Sequence, residues 1–263
     1  MSFESLQSLG LVEVLVILLA LLIAAAEFGN RLGRAHRRKV ADDTDAGNLA
    51  SAALGLLALL IAFTYSMALE RYDLRRQAVL QEANAIGSAA NFALMLPRAE
   101  QAPVLADLKE YTELRIALGA PHDAARFAAD IQRSGQLRAD LWRRAVAAET
   151  AEPQSLGVYQ FVWNLNDMNN MGEKRVTALR NHVPVVVSLM LAGTALVALG
   201  FSGYGAGVAG VKRRVANLIM ALLVSTLIAL MLDLQRPDRG TIQVPTQPLE
   251  DTLNAIPAAP PAG

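Results

Sequence analysis

The chain has 263 residues, 53% hydrophobic and 18% charged, with no cysteine and a formal net charge of zero. The lack of cysteine excludes disulfides and thiolate metal sites. The near-balance of charge between Arg71 and His182 leaves no electrostatic footprint for a nucleic-acid partner. Apolar residues gather in four blocks, roughly Leu9–Phe28, Ala46–Leu69, Val183–Gly203 and Val215–Leu232. Each approaches the ~20 helical residues that a hydrocarbon core of about 30 Å requires. Apart from Glu13, almost no charge enters their central parts, whereas a buried helix of a soluble protein keeps a polar face. The expectation is an all-α integral membrane protein with four transmembrane helices and a helical extramembrane domain between the second and third. The expected divisions are 1–70 for the first two helices, 71–182 for the extramembrane domain, 183–234 for the last two helices, and 235–263 for an extended, Pro-rich tail.

The N-terminal "MSFESLQ" carries no Lys or Arg, so the first block reads as a retained membrane helix rather than a cleaved signal. Glu13, near its start, is a candidate by virtue of being ionisable there, although water reaches that depth. The loop "RLGRAHRRK" follows, and its "HRRK" cluster either marks topology or meets anionic headgroups. Four spans put both termini and the long polar segment on one side and the two short loops on the other. No basic residue precedes the first helix, while Arg31, Arg34, Arg37, Arg38 and Lys39 follow it. The positive-inside rule therefore places the short loops in the cytoplasm. The extramembrane domain then falls on the periplasmic side of a bacterial inner membrane.

The second block runs directly into charge in "FTYSMALERYDLRRQ". No Gly or Pro occurs between Gly55 and Gly87, so one helix is expected from about Ala46 to Leu96, on the order of 75 Å long. Its residues Ser66, Glu70, Asp73, Gln77, Gln81, Asn84, Ser88 and Asn91 share one arc of about 80°. The opposite side carries Tyr72, Val79, Ala83, Ile86 and Ala90, interrupted by Arg75 and Glu82. Such a stripe is either the wet face of an amphipathic helix or, in a ring of copies, the lining of an aqueous axis. In the second case Ser66, Glu70, Asp73 and Gln77 face the pore, with the two acids as a charged ring. Small residues recur every four positions at Gly47, Ser51 and Gly55, and again at Ala221, Ser225 and Ala229. These are candidate packing faces, within one chain or between subunits.

Pro97, Pro103, Pro121, Pro153 and Pro184 punctuate the extramembrane segment into helices. "LWRRAVAAE" and the series Leu165, Met168, Val176 and Leu179 keep helical spacing. "GAGVAG", Gly205 to Gly210, matches a nucleotide-binding glycine pattern, but a membrane helix rather than a strand precedes it. It is read as a loop or re-entrant turn. Asp233, at the end of the fourth helix, is placed to pair with Arg71 or Arg75. "GTIQVPTQPL" reads as extended and "IPAAPPAG" as disordered. His36, His122 and His182 stand apart from carboxylates at metal spacing. No Walker lysine, nucleophile elbow or zincin motif is present, so no catalytic residue, cofactor or metal is expected and the protein is not read as an enzyme.

"FTYSMALERYDLRRQ", "EANAIG", "LNDMNNMGEKRVTALRNHVP", "DLQRPDRGTIQV" and "QPL" together resemble the DUF4239 family of bacterial "bestrophin-like" multi-pass membrane proteins. The resemblance runs from the second helix to the tail. It implies a pentameric anion channel with four membrane helices per subunit and a helical soluble domain, cytosolic in bestrophins, between the second and third. No pore residue carries over by motif. The favoured expectation is a homo-oligomeric, bestrophin-like ion channel whose partners are membrane lipids, inorganic ions and copies of itself. The alternative is a non-conducting scaffold or sensor whose extramembrane helices bind a partner.

Overall fold

The computed structural model describes residues 10–37, 44–119, 124–181, 183–211, 213–236 and 240–258. Its helices are α1 (Leu11–His36), α2 (Thr44–Ala93), α3 (Arg98–Ala117), α4 (Ala124–Ala151), α5 (Leu156–Arg180), α6 (Val185–Ala209), α7 (Arg214–Leu234) and α8 (Gln247–Ala255). No strand occurs among the described residues. Four stretches, in α1, α2, the α5–α6 region and α7, are long and apolar enough to cross a bilayer, with mean hydropathies of 2.1 to 2.6. The protein is an all-α integral membrane protein.

α2 is a single helix of 50 residues. Its interior offers no proline to remove a ladder hydrogen bond, and Gly87 is tolerated because its neighbours keep the helical pairing. Contacts divide the chain into two compact units. The first comprises Met1–Glu70, His182–Arg236 and Gly240–Ile242; the second comprises Arg71–Asn181, Pro237–Arg239 and Gln243–Gly263.

In the first unit, α1 and α6 pack backbone to backbone. A Cβ built at Gly29 would overlap the Gly200 carbonyl, one at Gly203 the Ala26 carbonyl, and one at Gly207 the Asn30 carbonyl. Lipid offers no hydrophobic drive for helices to associate, so contact area gained by removing side chains holds them together. "GAGVAG" is therefore not a loop. Gly205 to Ala209 complete α6, and Gly210, at φ 68°, ends it in the left-handed conformation. The Gly210 N–H donates to the Gly207 carbonyl and the Val211 N–H to Ala206, closing the helix end. α6 also meets α7 through Ser202 Oγ and Asn217 Oδ1, 2.9 Å apart. At the far end of α7, the Asp233 carboxylate accepts the backbone N–H groups of Thr241 (2.9 Å) and Ile242 (3.1 Å), fixing the turn after the helix.

The second unit has a core rich in alanine. Val79, Ala83, Ile86 and Ala90 of α2 pack with Leu105, Leu108 and Tyr111 of α3, Leu141 of α4, and Phe161, Leu165 and Met168 of α5. Two expectations need correction here. Pro103 lies inside α3 and does not divide it. Its missing N–H gives up one ladder bond, to the Ala99 carbonyl, without ending the helix, and Gln101 Nε2 donates to the carbonyls of Leu94 and Leu96 just before the helix. The segment expected to be extended through Leu249 instead turns helical at Gln247, with Pro248 in its first turn. Burying Leu249 completely in the core selects that conformation. Of the tail, Ala259 to Gly263 lie outside the described residues, as do His122 and His182.

Candidate functional site

Ser66, Glu70, Asp73 and Gln77 are all exposed along α2. Further along the same stripe Asn84 and Asn91 are also exposed, while Gln81 accepts a hydrogen bond from Lys174 Nζ at 2.8 Å. Gly47, Ser51 and Gly55 are exposed too, and a Cβ at either glycine would meet nothing within 4 Å. Ala221, Ser225 and Ala229 are buried. The two small-residue stripes thus differ: that of α7 is covered by protein of the same chain and that of α2 is open.

The two charges that interrupt the apolar side of α2 are both buried in the second unit. Arg75 is 2% exposed and Glu82 is wholly buried. Seven residues apart, they stand two turns along one face. Glu82 Oε1 accepts from Tyr111 Oη (3.1 Å) and Arg115 Nε (2.5 Å), both on α3. Its Oε2 accepts from Arg175 Nη1 of α5 at 2.9 Å. Arg115 Nη2 also reaches the Gly172 carbonyl at 2.9 Å, and its guanidinium lies 5.6 Å from the centre of the Tyr111 ring. Gly172 makes room for the cluster, since a Cβ there would come 2.6 Å from Tyr111 Oη.

Burial pushes the Tyr111 phenol above its ordinary pKa, so it remains a neutral donor. Burial also acts to lower the Arg115 pKa, but the adjacent Glu82 carboxylate, through its charge and its hydrogen bond, holds it above the usual value. The cluster ties α2, α3 and α5 together. Sequence reasoning singled out Glu82 only as a flaw in an apolar face, and Arg75 as such a flaw and as a possible partner for Asp233. That was the available signal, because charge on a core-facing stripe is kept only with partners.

Glu13 accepts the Gly10 N–H at 2.9 Å and caps α1, which explains an acid at that position. His36 stacks edge-on with Tyr204 at 6.3 Å, within the first unit. No group of side chains suited to a metal ion occurs among the described residues.

These features define a multi-pass, all-helical membrane protein with a charged, hydrogen-bonded core in its second unit. The chain belongs to the Bestrophin-like domain family, whose model matches residues 14–249. In solved structures the chain is similar to a mutant of a bacterial Bestrophin homolog from Klebsiella pneumoniae at TM-score 0.68 and 13% identity, covering 92% of this chain and 97% of that one. A second mutant of that homolog matches at TM-score 0.67 and 12% identity, over 93% and 97% of the two chains. A structure described as a membrane protein matches at TM-score 0.64 and 12% identity, over 94% and 97%. At such identities the likeness shows the fold. No curated protein matches the chain.

Proposed function

We propose that the protein is a subunit of a homo-oligomeric ion channel in the bacterial inner membrane, with a pore lined in part by α2. The observation that carries this reading is the stripe Ser66, Glu70, Asp73 and Gln77, exposed along a helix that leaves an apolar span without a break. A polar edge left uncovered by its own chain suits water on the axis of a ring. The open Gly47, Ser51 and Gly55 stripe gives another copy a surface for close packing. The charge of the first loop favours a periplasmic second unit. The protein acts by conduction and not by covalent chemistry.

The exposed Leu156, Tyr159 and Trp163 of α5 favour a second reading, a scaffold or sensor that binds a partner there. Ion flux into liposomes carrying the purified protein separates the two. The channel reading expects flux above that of empty liposomes. It also expects Glu70→Gln with Asp73→Asn to lower the cation-to-anion permeability ratio by about five-fold, the effect of about 1 kcal/mol of Coulomb energy. Wild-type liposomes that carry no flux would overturn it and leave the scaffold.

A further inference from the structure

Arg175 is 1% exposed, and while its Nη1 bonds Glu82, its Nε has no hydrogen-bond partner. A buried donor left in this state is costly, about 1–3 kcal/mol and more when it carries charge. The same residue lines a cavity of about 20 Å³ with Arg75, Val79, Gly119, Leu179 and Val244. Charge is unbalanced beside it. Arg115 and Arg175 converge on the single carboxylate of Glu82, which leaves one positive charge in excess within the cluster.

We propose that this cavity is a binding site for one monatomic anion, chloride in ordinary salt, held by the Arg175 guanidinium. It is a structural ligand of the second unit. Size sets the scale: a water-sized sphere needs roughly 10–15 Å³, so the space beside the guanidinium suits one compact body. Chemistry then separates a halide from water. Water must find acceptors for its hydrogens, and the polar side chains on these walls are guanidiniums, which only donate. A halide only accepts, and it cancels the excess charge. Val79, Leu179 and Val244 supply apolar walls that strengthen the attraction. The site lies within one chain and on the buried side of α2, away from Asp73 and Gln77, so it stands whether or not the protein conducts.

The test is thermal unfolding of the full-length protein in nanodiscs, with chloride replaced by gluconate at constant ionic strength. Chloride should raise Tm by about 2–4 °C in a saturable way. Bromide substituted for chloride should give an anomalous scattering peak beside Arg175 Nε in crystals of the protein. Arg175→Gln removes the excess charge and should abolish the shift. Val244→Leu fills the cavity without altering any charge, so it should abolish the shift even where Arg175→Gln fails to fold. A wild-type Tm indifferent to chloride, a full shift retained by Val244→Leu, or a cavity without bromide would each overturn the proposal.

Discussion

Glu82 shows how one side chain can organise three helices. Both of its oxygens are occupied by donors from α3 and α5, and the space they need exists because residue 172 has no side chain. Gly172→Ala would force its Cβ against Tyr111 Oη, with Glu82 Oε1 at 3.3 Å beyond. The expected cost is about 1–3 kcal/mol, read as a lower Tm in detergent. Tyr111→Phe removes the clashing oxygen, so Gly172→Ala should cost clearly less in that background. An equal cost in both backgrounds would show that the glycine serves something other than this cluster. At this scale the sequence was legible in part. A charge within an apolar stripe can be seen at Arg75 and Glu82, and equally at Arg115 after Leu108 and Tyr111. Their convergence could not be seen, because it depends on the register of helices far apart in the chain.

At the scale of elements, the α1–α6 contact rests on backbones that touch. Gly203→Leu places a branched side chain against the Ala26 carbonyl, so the two helices must separate. Loss of monodispersity or a fall in Tm equivalent to about 1–3 kcal/mol is expected. Gly193→Leu is the control, since a Cβ there meets nothing within 4 Å; an equal effect at both positions would contradict the packing account. The small-residue rule singled out Ala221, Ser225 and Ala229 as candidate packing positions, and all three are buried. It passed over the glycines of α1 and α6 because "GAGVAG" looked like punctuation. In water such a run frays a helix, whereas in a close helix pair it costs less than the contact it permits. The unbroken course of α2, by contrast, was readable from the absence of breakers alone.

At the scale of the whole molecule, the proposed orientation rests on the basic residues that follow α1. The chain has no cysteine, so single cysteines introduced at Arg38 and Glu113 test the proposed orientation. With an impermeant thiol reagent on intact cells, labelling is expected at position 113, which is exposed, and not at position 38. The reverse pattern would put the second unit in the cytosol. Membership of the Bestrophin-like family and the helical fold were both within reach of the residue string. Apolar run length, missing breakers and a few local motifs are properties of consecutive residues, and the bilayer's thickness converts them directly into architecture. The glycine seam between α1 and α6, the buried role of Leu249 and the enclosure of Glu82 by Tyr111, Arg115 and Arg175 came from the folded chain. Each joins residues distant in sequence, and which of many compatible faces meet is settled by packing complementarity and the pairing of buried charge, neither of which leaves a periodic trace along the chain.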